Sequence, residues 1–382
     1  MLANKSQCCG CEACINACKF NAIEMKYDDS LFKYPEINKE KCKNCKLCEK
    51  VCPINNKKVE KTKVKRVYAG YNINNKTLYK SASGGISYLL NEFFLKNNGI
   101  IYGVAYTENY KSAEYVRIDN LNDLIKIQSS KYIETNKNNI YNVIKHDLED
   151  SKNVLFTGLP CEIGALKSFL KKDYYNLYTC GLICMGPTSQ KVEKEFIEYY
   201  ENNLDSSIKY FNVRSKVKGW GPPNHIELIF QNDDKIIKPF NETAFGMAFQ
   251  ILSRKSCLDC NFKITNTYAD ITIGDYWGVD KNSEIYNKNG VSVILVHNDK
   301  FNEVLNQLSN LKLIDIKYED CLKNNEMIEK SRILDKRKKK FEKNFKTKGL
   351  MYAYKKNNLW YKSVVKKILP KKLIKIMKGV KK

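Results

Sequence analysis

A chain of 382 residues with 43% hydrophobic side chains suits a small module followed by one or two larger domains, and is too long for a small electron carrier alone. It opens MLANKSQCCG without a charged and then apolar leader and has no apolar run of membrane-spanning length, so a cytoplasmic protein is expected, in which fifteen cysteines serve metal ligation and redox chemistry, not disulfides. The net charge of +24 does not argue for nucleic acid: residues 336–382 hold 19 Lys and Arg against the single acid Glu342, so that segment carries +18 and the preceding 335 residues only +6.

Residues 1–56 carry two cysteine runs. Cys8, Cys11, Cys14 and Cys18 form a C-x2-C-x2-C-x3-C run, and Cys42, Cys45, Cys48 and Cys52 form a second, closed by Pro53. Two-cluster ferredoxins space their ligands this way, three thiolates converging on one 4Fe-4S cluster while the fourth, carried off by a helical turn, reaches the other. The spacing therefore assigns Cys8, Cys11, Cys14 and Cys52 to a first cluster and Cys42, Cys45, Cys48 and Cys18 to a second. Lys19 stands where a proline would be expected after the first run, a position that shapes a turn and supplies no ligand. Cys9 leaves only one residue before Cys11 and reads as a bystander. Short alternations around Ile23 and Met25, and around Tyr34 and Ile37, predict two strands between the runs.

Residues 57–66, polar and without periodicity, read as a linker. VYAGYNI then predicts a strand, and Ser83, Gly84 and Gly85 precede a helical pattern ending at Gly99. Such a turn at a helix N-terminus suits a phosphate or the polar rim of a flavin, although a plain N-cap with flexible glycines gives the same pattern. Further on, alternating strands and helices predict an α/β domain over residues 67–330, with ligands at the C-terminal ends of its strands. Cys161 follows the strand of NVLFTGLPCEIG, and Cys184 follows that of YNLYTCGLICMGP, which puts both on one sheet edge if the strands run parallel. Cys180, deeper on its strand, reads as core. Cys257 and Cys260 form a lone C-x2-C, a spacing shared by zinc sites, dithiols and half of an iron-sulfur site; joined to Cys161 and Cys184 they make four thiolates, enough for a third cluster. ADITIGDYWGVD predicts a strand ending in a turn, where Asp275 can accept hydrogen bonds and Tyr276 or Trp277 could cover a ring or merely plug the turn. Residues 331–382 form a basic tail whose apolar positions 364, 365, 368, 369, 373, 374, 376 and 377 alternate with lysines. This pattern suits an anionic membrane surface at the inner face, a partner-binding helix or a solvated tail.

Taken together, SASGGI (81–86), SSKYIETN (129–136), GLPCEIGALK (158–167), LICMGPTS (182–189), CLDC (257–260) and ADITIGDYWG (269–278) resemble the coenzyme F(420) hydrogenase/dehydrogenase beta-subunit family over residues 5–330. The resemblance implies an α+β ferredoxin-like two-cluster module followed by a larger α/β flavin-binding domain and a basic helical tail. It implies two 4Fe-4S clusters, a third through Cys161, Cys184, Cys257 and Cys260, and a flavin, usually FAD. Within that scheme Ser83, Gly84 and Gly85 bind the flavin through backbone donors, Tyr276 and Trp277 lie against it, and Lys131 and Asp275 orient flavin or substrate. The activity implied is electron exchange between the clusters and a small-molecule donor or acceptor such as a deazaflavin; the alternative is a subunit relaying electrons to a redox partner protein. Stand-alone relatives of this kind look like those encoded near cell-surface polysaccharide genes in anaerobic bacteria.

Overall fold

The computed structural model describes residues 2–56, 61–263 and 267–357. In the N-terminal module β1 (Ile23–Tyr27) and β2 (Lys33–Ile37) pair antiparallel between the two cysteine runs, as the alternation predicts. Short helices, Ala13–Asn16 and Leu47–Lys50, follow the second position of each run.

An eight-stranded mixed sheet forms the centre of the protein. Its strands are β3 (Arg66–Asn72), β4 (Ile100–Tyr106), β5 (Ala113–Ile118), β6 (Val154–Gly158), β7 (Leu177–Leu182), β11 (Ile271–Asp275), β12 (Ser292–Val296) and β13 (Leu311–Asp315), in the order β13-β3-β12-β11-β7-β6-β4-β5. The middle four, β11, β7, β6 and β4, are mutually parallel. They carry continuous apolar runs because both faces of the sheet are covered. Along β6, Val154 and Phe156 join the buried cluster under helices Ile140–Glu149 and Pro160–Leu170, while Leu155 points to the opposite cluster under helix Ile86–Lys96. Cys180 is fully buried in that second cluster, a core residue as expected.

A smaller sheet of β8 (Ile208–Ser215), β9 (His225–Phe230) and β10 (Lys235–Pro239) packs with helices Gln190–Leu204 and Ala244–Ile251. The hairpin predicted for β8 and β9 is present with a register shift; β10, β13 and helix Ala244–Ile251 carry no sequence signal that predicts them. That helix, AFGMAFQI, is buried nearly all round and has no polar face to mark its period.

The N-terminal module is wedged into the body. Leu31, Phe32 and Tyr34 enter the core of the smaller sheet, and Cys11, Ala13 and Val51 enter the core beneath helix Pro160–Leu170. Fully burying one such large side chain contributes about 1.5–3 kcal/mol. The first part of the expected basic tail forms helix Lys338–Asn357, interrupted at Gly349, whose Phe341, Phe345, Leu350 and Ala353 are buried in the same core as Phe32. The amphipathic stretch from 364 to 377 lies outside the described residues. Among the described residues, no helix is long and apolar enough to cross a membrane.

Candidate iron-sulfur and redox site

The cysteines gather in three groups. Cys8, Cys11, Cys14 and Cys52 interact electrostatically with one another and line a cavity closed by Leu2, Met25 and Pro53. Cys52 thus lies with the first run, which is the crossover the spacing predicts. Cys18 lies beside Cys48 of the second run, the reciprocal crossover. Cys45 is exposed, and Cys18, Cys42 and Cys48 are half-buried.

The third group is built by the parallel sheet. Cys161, in the first turn of the helix after β6, and Cys184, just past β7, stand at the same sheet edge because β6 and β7 run parallel. Cys257 and Cys260 come from the loop after helix Ala244–Ile251, and all four line one cavity. Burial, then the neighbouring Cys257 thiol, pushes Cys184 up to about 12. For Cys161 a hydrogen bond from Cys9 works downward, but burial and the neighbouring acids outweigh it and the thiol rests at about 11.

Four crowded buried thiols of this kind ionise only when a bound cation repays the charge, which is what an iron-sulfur cluster supplies. Among the described residues no three His, Cys, Asp or Glu side chains converge on a point for a single metal ion. Thiols set around a cavity fit a polynuclear cluster better than a zinc.

Cations surround this group. Lys263 Nζ donates to the Cys184 carbonyl at 2.9 Å, Arg332 donates its backbone N–H to the Cys257 carbonyl at 3.2 Å, and Arg254 lines the same cavity. The Arg254 guanidinium is paired with Glu134, donates to the Lys33 carbonyl and lies over the rings of Tyr34 and Phe32. It also packs against Gly10, whose φ is +69°; a Cβ there would meet Nη2 at 2.5 Å, so only glycine admits the arginine. Cys161 is held in turn by Glu162, which caps its helix through the Leu159 N–H at 2.9 Å and pairs with buried Lys137 at 2.7 Å.

Cys9 is not the bystander expected. Its thiol lies beside both Cys11 and Cys161, and it lines both cavities, so it stands between the first and third groups. The Ser256 hydroxyl also donates to the Cys8 carbonyl at 3.0 Å, linking the first group to the residue before Cys257. Because adjacent residues in a tight loop point apart, Cys8 and Cys9 serve different neighbours; spacing within one run could not show this.

At the same sheet edge the two expected flavin turns meet through a residue that no sequence motif marks. Arg214, at the end of β8, makes a two-point pair with Asp275, 2.8 Å at each nitrogen, and donates to the Ala82 carbonyl and Tyr132 hydroxyl at 2.9 Å. Trp220 donates Nε1–H to Asp275 at 2.9 Å and stacks on Trp277, 5.3 Å between centroids, beneath the guanidinium. Lys216 Nζ donates to the carbonyls of Leu78 and Ser83; burial and then Arg214 lower its ammonium to about 7, with Asp275 opposing.

Within the Ser-Gly-Gly turn, Gly84 donates its N–H to Ser292 Oγ at 3.0 Å and a Cβ on it would sit 2.5 Å from the Gly70 carbonyl, so this glycine serves packing and its N–H is already used. Gly85 is the N-cap of helix Ile86–Lys96. Ser83 Oγ donates to the Val291 carbonyl. Tyr276 packs into the apolar clusters of β12, while Trp277 stays half-exposed. Lys131 staples its own loop, donating to the carbonyls of Lys126, Gln128 and Ser129, and burial lowers it to about 7 against the pull of Glu193. It reaches Asp275 only indirectly, through Tyr132 and Arg214.

Residues 151–320 match the family model for the C terminus of the coenzyme F420 hydrogenase/dehydrogenase beta subunit, and residues 7–56 match the 4Fe-4S dicluster domain. The chain belongs to the coenzyme F420 hydrogenase/dehydrogenase beta-subunit family. In this beta-subunit relative the dicluster match spans both cysteine runs, so the chain is an iron-sulfur oxidoreductase that transfers electrons. No curated protein sequence matches it. A chain of the F420-reducing [NiFe] hydrogenase complex from Methanosarcina barkeri is similar at 18% identity and a TM-score of 0.49, over 75% of this chain and 94% of that one.

Proposed function

We propose that this beta-subunit relative is an iron-sulfur flavoprotein that moves electrons along three 4Fe-4S sites to a flavin at the sheet edge. The observation that carries the reading is the continuity of thiols: Cys18 and Cys52 interlock the first two groups, and Cys9 stands between the first group and Cys161. Cys8, Cys11, Cys14 and Cys52 would hold the first cluster, Cys42, Cys45, Cys48 and Cys18 the second, and Cys161, Cys184, Cys257 and Cys260 the third. Arg254, Lys263 and Arg332 offset the negative charge that four thiolates bring into a buried site.

A flavin when bound would convert single-electron steps into two-electron or hydride exchange with a small molecule. The residues at the joined turns suit one. Trp277 and Trp220 offer a ring face, Lys216 and Arg214 offer buried positive charge, and Asp275 fixes Arg214 and Trp220 together. Lys131 shapes the neighbouring loop. A deazaflavin is one candidate substrate, and FAD the candidate flavin.

Anaerobic purification with iron, acid-labile sulfide and flavin assays tests this. About twelve irons per chain and a flavin band in the visible spectrum are expected. About eight irons would remove the third cluster, and an iron-loaded protein without flavin would leave only the electron relay.

A further inference from the structure

The three thiol groups differ in how they meet solvent. The first includes buried Cys11, and the third lies in the interior among paired cations, whereas the second has Cys45 exposed and its other ligands half-buried. Electron transfer between proteins weakens steeply with separation, so the exchange point for a protein carrier is the group nearest the surface.

The surface around that group has its own chemistry. Residues 38–50 contain Lys39, Lys41, Lys43, Lys46 and Lys50 against Glu40 and Glu49, all five lysines are exposed, and exposed Lys19 follows Cys18. Among the described residues no ion pair holds any of these six lysines, although Lys46 lies near Glu49. Their charge is thus presented to solvent while the lysines of the body are often paired, as Lys111 is with Glu198 and Glu201.

Two apolar side chains sit within the ring, Phe20 at 42% and Ile37 at 41% exposure. Their neighbours are tied to the second cysteine run by backbone hydrogen bonds: Asn38 N–H donates to the Ala22 carbonyl at 2.8 Å, and Cys42 N–H to the Asn38 carbonyl at 3.1 Å. An apolar spot inside a ring of single-sign charge is the anatomy of a transient docking surface, in which charge steers the encounter and a small dry contact completes it.

We infer that the lysine-ringed face over Cys45 is the docking site of an acidic electron-carrier protein. The inference rests on the second cysteine group holding a cluster. In the step itself one electron leaves the reduced carrier and enters the second cluster; no bond forms or breaks and no proton moves. The interior position of the third group then gives the relay its order, from the second group to the first and on to the third. The carrier bears net negative charge and a one-electron centre near its own surface.

The test uses the full-length, iron-loaded protein and its triple variant Lys39→Glu, Lys41→Glu and Lys50→Glu, in which no proposed ligand changes. Iron and sulfide are counted in both first; an iron-free wild type would defeat the cluster reading itself, before docking is addressed. Stopped-flow bleaching then follows reduction by a small acidic ferredoxin and, separately, by the cationic methyl viologen radical. With the ferredoxin the wild-type rate should fall as salt rises, and the variant should be at least about tenfold slower at low salt. With methyl viologen the variant should react as fast or faster, which shows that its clusters are intact. Equal ferredoxin rates in both proteins would overturn the proposal, since the basic segment beyond residue 357 is unchanged in the variant. Loss of binding to phosphatidylserine vesicles, with the ferredoxin rate unaltered, would assign the lysines to a membrane surface and overturn it equally.

Discussion

The second and third cysteine groups use the same ligand in opposite surroundings. Around Cys45 the neighbours are exposed lysines, outside any described ion pair, on the segment 38–50; around Cys184 and Cys257 they are buried Arg254, Lys263 and Arg332, each tied to a carboxylate or carbonyl. Surface charge of the first kind is screened by salt and is worth little to stability, but it steers partners. Buried charge of the second kind is expensive to place and must be fully partnered, so it holds a site in shape. Similar positive charge thus attracts a partner in one place and builds the interior in the other.

The strongest challenge to this contrast is Cys184→Ser. If the interior group holds a cluster, the variant purified anaerobically should lose about four of about twelve irons and keep the electron paramagnetic resonance signals of the two N-terminal clusters. An unchanged iron count would remove the third group from the relay.

Next in size is Arg254→Leu. It leaves Glu134 buried without its partner and opens the space against Gly10, so the folded state should lose about 3–5 kcal/mol, read as a lower chemical-denaturation midpoint. A comparable change at exposed Lys43 should shift stability by about 0.5 kcal/mol or less. Similar losses at both positions would erase the distinction between buried and surface charge.

The pH dependence of stability sharpens it further. Lys216 rests at about 7 in the fold, well below the ordinary lysine value, because burial and Arg214 oppose its charge while Asp275 favours it. Between about 7 and the unfolded value near 10.5 the unfolded chain binds more protons at this site, so its contribution makes stability rise with pH across that window. Below about pH 7 both states are protonated and the destabilising cost of the buried charge is fully present. Lys216→Met should flatten the slope between about pH 7 and 10; an unaltered slope would mean that Lys216 stays solvated.

The smallest expected effect is that of Trp220→Phe, which keeps the ring against Trp277 but removes the donor to Asp275. It should cost about 0.5–1.5 kcal/mol in thermal or chemical unfolding. A loss several times larger would show that Trp220 does more than hold Asp275.

Much of the molecule can be read from the chain because its signals are local. Two cysteine runs with fixed spacing, period-two alternation in β1 and β2, and apolar runs such as Val154–Gly158 bounded by turn residues each depend on a few neighbouring positions. Helix Ala244–Ile251 escapes because it is apolar all round, and β10 and β13 because five-residue strands beside a lysine-rich loop or a helix end carry little pattern. Arg214, Lys216 and Arg254 escape for another reason: an isolated cation on a strand or loop looks solvated until its partner, 61 residues away for Arg214 and Asp275, is brought against it. Glu162 offers a usable signal, a lone acid in the apolar stretch GLPCEIGAL beside Cys161.

By itself, the sequence determined the number and pairing rule of the N-terminal thiols, the α/β alternation and the edge on which Cys161 and Cys184 stand, because ligand spacing and strand period are short-range constraints. Only the tertiary structure decided that Cys9 lies between two thiol groups, that Arg214 joins the two turns, and that part of the basic C-terminal segment is core. Those outcomes depend on which distant surfaces exclude water together, and no local pattern encodes that.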